Sequence, residues 1–177
     1  MNRPIFHAIG AIALAAALLL MANTLLSGTQ ENLRRRELQR TMQTLLPGSG
    51  AFTQEDVTGH PLIRAAYRAR SGCVVEAVAA GYAGDIVVLV GVTDSGKVSG
   101  VMLRDLQETY GLGFRALRDE AFLAQFPGTA GDAAVGDTIR PLTGATVTSK
   151  AIARAVNAAS AYVSGGDVYT EATEWGY

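Results

Sequence analysis

Polar and apolar positions divide the chain into stretches of different period. The first is apolar almost without interruption. From Pro4 to Gln30 there is no Asp, Glu, Lys or Arg, and Ile5 to Leu26 reads IFHAIGAIALAAALLLMANTLL. A helix needs about 20 apolar residues to cross a bilayer core, so residues 1–29 are expected to form a transmembrane anchor. The competing reading is a cleaved signal peptide. Its apolar region is usually shorter, about 7–15 residues, and ends at a small-x-small site; this run ends in NTLLSG without a good site. From Gln30 to Leu46 the period turns helical, with Leu38, Met42, Leu45 and Leu46 repeating on one side and arginines on the other. Pro47 to Gly50 ends that helix, and residues 30–50 read as helix and linker.

A strand-rich block follows. Ile63–Arg70, Val74–Ala80 and Ile86–Thr93 have strand-like composition, Asp94 to Gly96 is a turn, and Lys97–Leu103 returns. The hairpin IVVLVGVTDSGKVSGVML is the firmest structural expectation. Asp119–Phe126 reads as a short helix stopped by Pro127 and Gly128. From Ser149 the segment SKAIARAVNAASAYV is helical, with Ile152, Val156 and Ala159 on one side, and Ser164 to Gly166 ends it. Strands followed by helices around a central hairpin predict an α+β fold. The expected organisation is one N-terminal transmembrane helix and a single domain, residues 51–165, with an antiparallel sheet and flanking helices. Residues 166–177 form a C-terminal tail.

Charge and composition narrow the chemistry. The chain has 177 residues and a formal net charge of −1, with no basic field to hold nucleic acid. Cys73 is the only cysteine, which excludes an internal disulfide and a cysteine-ligated iron–sulfur cluster within this chain. His7 and His60 are too few for a histidine-based metal or haem site, so no metal site is expected. If the protein handles electrons, it needs an organic cofactor. Orientation stays open on charge. Arg3 precedes the span and Arg34, Arg35, Arg36 and Arg40 follow it, which by the positive-inside rule places the domain in the cytoplasm; large domains, however, are exported regardless of such counts.

The segment Leu142–Lys150, LTGATVTSK, carries the most chemistry. Gly144 and Ala145 let the backbone turn tightly and approach a ligand. Thr146, Thr148 and Ser149 place hydroxyls at the mouth of the next helix, where unpaired N–H groups and a partial positive charge favour phosphate. Two readings follow from the residues alone: a phosphate seat, or a helix N-capped by Thr148 or Ser149. Cys73 reads as an inert buried residue, and His60, without a partner pattern, as surface.

LTGATVTS resembles the flavinylation motif of the FMN-binding domain family, whose members include subunits of Rnf (Rsx) electron-transport complexes and of sodium-pumping NADH:quinone oxidoreductases. Three further features are similar: a single N-terminal transmembrane helix, the long hairpin, and a loop resembling Glu-Thr-Pro-Gly-Leu-Gly, here Glu108, Thr109, Tyr110, Gly111, Leu112 and Gly113. The resemblance covers roughly Pro4 to Val163. It implies that the Thr146 hydroxyl is esterified to the phosphate of FMN, with Thr143, Gly144 and Ala145 completing the motif. Leu142, Val147, Thr148, Glu108, Thr109, Tyr110, Gly111 and Leu112 are then candidates to line the cofactor. No histidine or carboxylate adjoins Thr146 to activate it, so the resemblance also implies a separate flavin transferase with FAD and Mg²⁺ as donor system. Two positions depart from the family pattern. Arg140 stands where the family has Asp six residues before the threonine, with Asp137 nearby, and Tyr110 replaces the loop proline. Tyr110 could stack on the flavin ring or be a half-buried loop aromatic.

By the same resemblance the chain is an electron relay with no catalytic residues of its own. It sits in a bacterial inner membrane by a single pass, with its domain on the periplasmic side. Its short length is closer to the Rnf members than to their longer quinone-reductase counterparts. The implied partners are the other Rnf subunits (A, B, C, D, E) and membrane lipid. The alternatives are the C component of a sodium-pumping quinone reductase, or a cofactor-free, membrane-tethered binding or assembly module.

Overall fold

A computed structural model describes Met21 and residues 32–82, 84–106 and 119–168. The expected anchor, apart from Met21, and the Glu108–Leu112 loop lie outside the described residues. Among the described residues no helix is long and apolar enough to cross a membrane. The chain divides into two compact units, Met1–Arg40 and Thr41–Tyr177. Residues 32–45 are helical (α1), and 41–45 of these fall in the second unit.

The second unit holds strands β1 (Thr53–Glu55), β2 (Ile63–Ala69), β3 (Gly72–Ala80), β4 (Asp85–Thr93) and β5 (Val98–Leu106), then helices α2 (Glu120–Leu123) and α3 (Thr146–Ser164). The strands form one five-stranded meander in sequence order, every neighbouring pair antiparallel. This is the expected α+β arrangement, and β2 to β5 fall where composition places strands. β5 continues past Leu103 to Leu106. β1 has no counterpart in the sequence pattern, because TQE lacks apolar alternation. It pairs with β2 as Thr53↔Arg68, and Arg68 Nε donates to Glu55 Oε1 at 2.8 Å.

Register explains the core. Cys73, Val75, Ala77 and Ala79 stand opposite Val92, Val90, Val88 and Ile86. Side chains two apart share a face, so these eight form one apolar face, and all are buried. α3 packs along β3 and β4 with Ile152, Val156 and a run of buried alanines, whose small size lets helix and sheet approach closely. Phe122 and Phe126 close one side of this core edge to face, their centroids 5.3 Å apart.

β4 is buried on its other face too, through Val87 and Leu89. There the end of α1 docks. Gly91 and Gly100 are cross-strand partners, and Ser99 Oγ donates to the Leu45 carbonyl at 2.5 Å. A Cβ on Gly91 would lie 2.3 Å from that carbonyl oxygen, so the strand needs glycine for the helix end to reach it. Met42, Leu45 and Leu46 are buried as their helical spacing predicts.

The direction of α3 follows from one buried bond. Ser160 Oγ donates to the Gly96 carbonyl at 2.6 Å, which ties the C-terminal part of α3 to the β4–β5 turn. α3 has 19 residues, about 28 Å of helix, and β4 has 9, about 30 Å of strand. Helix and strand therefore run the same length side by side. The N terminus of α3 lies toward the end of the sheet where β4 begins and β5 finishes.

Candidate functional site

The approach to α3 is irregular chain held by side chains. Gln125 Oε1 accepts from Arg140 N at 2.8 Å, and its Nε2 donates to Arg140 O at 3.2 Å. The buried Asn157 amide makes the same two-way clasp on Ala133, with both bonds at 3.0 Å. Thr138 Oγ1 accepts from Ala134 N at 2.8 Å. An amide side chain can mimic a peptide group in this way, so side chains hold the middle of the loop, while its start is tied to β5 by backbone bonds from Gly128 N to Val98 O and from Val98 N to Thr129 O, both 2.8 Å.

Ser149 completes the seat. It is fully buried, accepts from Leu142 N at 3.0 Å and donates to Ala145 O at 2.9 Å. Ala145 N donates to Leu142 O at 3.0 Å. Gly144 turns the chain with φ +77°, the left-handed conformation that glycine adopts without a Cβ penalty. Four consecutive residues, Leu142 to Ala145, thus fold back on the first turn of α3.

The helix begins at Thr146, earlier than the Ser149 start expected from periodicity; the β-branched run Thr146 to Thr148 obscures the first turn. Neither Thr148 nor Ser149 is its cap. The N-cap is Ala145, which offers no side-chain hydrogen bond, and the first turn holds no acidic residue. Among the described residues, no side chain compensates the outward N–H groups or the positive end of the helix dipole, the setting that suits an anion.

Burial sorts the candidate residues. Thr143, Gly144, Thr146 and Val147 are exposed. Thr148 is buried, at 2% exposure, and Ala145 at 6%. Leu142 is half-buried and packs on the core, which is the ordinary role for a leucine. The accessible hydroxyls of the motif are therefore those of Thr143 and Thr146, and the latter stands at the first position of the helix. Along α3, every residue from 148 to 161 is buried except Lys150 and Arg154. Arg154 is half-buried, and its Nε is a buried donor without a hydrogen-bond partner among the described residues.

Glu108, Thr109, Tyr110, Gly111 and Leu112 lie outside the described residues. Their root does not: β5 ends at Leu106, at the end of the sheet toward which the α3 N terminus lies. Cys73 is buried, and burial pushes its thiol up to about 11, with the Arg68 charge pulling the other way; it is the buried residue expected. His60 is not simply a surface residue. It is half-buried and meets Tyr162 edge to face at 5.2 Å. Gln125, Asn157 and Arg154 carry no motif in the sequence. The first two act through backbone partners that no spacing reveals. Arg154 has one visible signal, its position seven residues after Val147.

Residues 81–161 match the model of the FMN-binding domain. The chain is also 42% identical over 93 residues to the G subunit of the proton-translocating ferredoxin:NAD(+) oxidoreductase complex of Clostridium ljungdahlii, across 49% of this chain and 50% of that one. The chain thus aligns with about half the length of this curated relative. The match to the domain model includes β4, β5, α2, nearly all of α3 and both sequence motifs. The family resemblance read from LTGATVTS and the Glu108 loop is the one the comparison finds: residues 81–161 match the FMN-binding domain, and the chain is similar to the G subunit of a ferredoxin:NAD(+) oxidoreductase complex.

Proposed function

We propose that this chain is a membrane-anchored flavoprotein subunit that carries FMN as a phosphoester on Thr146 and relays electrons within an ion-translocating ferredoxin:NAD oxidoreductase complex of the Rnf type. The observation that carries the reading is an exposed threonine hydroxyl on an uncapped, acid-free helix start, inside a segment that matches the FMN-binding domain.

The residues present fit the group. Thr146 supplies the ester oxygen. The first-turn N–H groups face the phosphate, and Gly144 permits close approach. Ser149 holds the loop so that this geometry does not depend on the ligand. Val147 and Leu142 offer apolar contact, and the segment Glu108–Leu112 is assigned to line the ring. When bound, FMN supplies one- and two-electron chemistry.

Attachment needs help from outside the chain. A threonine hydroxyl is a weak nucleophile without a base, and the first turn of α3 contains no acid. A flavin transferase using FAD and Mg²⁺ fills that role. Arg140 replaces the family's Asp, yet the backbone there is held by Gln125, so the path of the loop does not rest on the side chain at 140.

The Ile5–Leu26 run is the proposed single-pass anchor in a bacterial inner membrane. A covalent tether is most useful on the periplasmic side, where lost FMN could not be replaced readily. The partners are the other subunits of the Rnf complex, together with lipid around the span. The test is fluorescence under ultraviolet light after denaturing electrophoresis of protein from its native host. A flavin-coloured band at the mass of this chain is expected. A dark band would leave the cofactor-free binding module as the better account.

A further inference from the structure

We infer that Arg154 is the cationic seat for the electron-rich pyrimidine edge of the flavin, and that it raises the flavin's reduction potential. The inference rests on the reading of Thr146 as the FMN anchor. α3 is buried almost all round. Between residues 146 and 161 its accessible positions are Thr146, Val147, Lys150 and Arg154. Val147, Lys150 and Arg154 are spaced i, i+3 and i+7, which places them on one face of a helix. The face ends there, because Ala158 and Ala161 are buried, at 0% and 1% exposure. A group tethered at Thr146 that lies against α3 has this stripe to lie on.

The far end of the stripe is cationic and incompletely paired. Arg154 Nε is buried without a hydrogen-bond partner among the described residues, and no described carboxylate forms an ion pair with it. A buried donor left unpaired is costly, and such groups in native proteins call for an explanation, an acceptor from a bound ligand among them. Eight residues of helix separate it from Thr146, about 12 Å along the axis. That separation suits a phosphate, a ribityl chain and the near edge of the ring laid end to end. Two-electron reduction of the flavin puts negative charge on the pyrimidine edge. A guanidinium there favours the reduced form by electrostatics that are weakly screened at a half-buried site.

The test compares full-length wild type with Arg154→Gln, Arg154→Met and Arg154→Lys, each made with a flavin transferase. Intact mass first establishes that FMN is attached. The midpoint potential is then measured by spectroelectrochemical titration. Arg154→Gln and Arg154→Met should retain FMN and disfavour the reduced form about tenfold, a fall of about 30 mV for a two-electron couple. Arg154→Lys should recover most of it. Arg154→Met keeps much of the apolar stem and carries the test if the glutamine variant does not fold. An unchanged potential in flavin-bearing Arg154→Gln or Arg154→Met overturns the inference. It would be the result if Arg154 instead awaits a carboxylate of a partner protein. A lysine variant that falls as far as the neutral ones overturns it too. A wild type without bound FMN sinks the reading of Thr146 itself, and the inference with it.

Discussion

Three threonines and a serine crowd the start of α3, and burial gives them different work. Thr143 and Thr146 face solvent, Thr148 is enclosed, and Ser149 is spent on two backbone bonds. The hydroxyl most deeply buried is therefore the one that shapes the seat, while the one proposed to carry the cofactor is left open to solvent. Ser149→Ala separates these roles. It leaves Leu142 N–H and Ala145 C=O without their side-chain partner while keeping Thr146, and should cost about 1–3 kcal/mol, read as a lower urea midpoint at an unchanged m-value. A loss below a few tenths would mean that the loop is held elsewhere. The motif is visible in the sequence because hydroxyls, glycine and alanine cluster there. Ser149's role is not, since whether a serine caps a helix or closes a loop depends on where the first turn starts.

At the level of elements, the sheet is largely readable. Alternation and β-branched composition mark β2 to β5, and the hairpin turn at Asp94 to Gly96 marks itself. β1 escapes because a short polar edge strand has no apolar period, and the start of α3 reads late because threonine and valine are weak helix formers. The two glycines in β4 and β5 also carry no message until the end of α1 is seen against them. They differ in how much room they have. A Cβ at Gly91 would meet the Leu45 carbonyl oxygen at 2.3 Å, whereas at Gly100 the nearest atom is Leu45 Cδ2 at 3.2 Å. At Gly100 the Leu45 Cα and carbonyl oxygen also lie at 3.3 Å, so the neighbours there need give only a few tenths of an ångström, whereas at Gly91 the backbone overlaps outright. Gly91→Ala should therefore destabilise by about 1–3 kcal/mol or more, and Gly100→Ala by less than about 1 kcal/mol. Thermal unfolding of the two variants side by side decides it, and equal losses would contradict the docking of the α1 end on this face.

For the whole molecule, the parts form a consistent order. A sheet with one helix laid along it presents the start of that helix, and the end of the last strand, toward the same end of the sheet. The helix start is the proposed anchor, and the chain beyond β5 carries the second motif. The family match reaches both, since it runs over residues 81–161, while β1 to β3 lie before it. Sequence names the proposed anchoring hydroxyl by resemblance, but not the stripe ending in Arg154 that leads from it, because a lone arginine on a helix reads as a solvated charge until its surroundings are known. The most direct measurement is the intact mass of the chain, wild type and Thr146→Ala, produced with a flavin transferase. The account predicts an added mass equal to FMN less one water in the wild type and none in the variant. A wild type at the mass of the bare chain, or a Thr146→Ala protein that still gains the flavin, would contradict it.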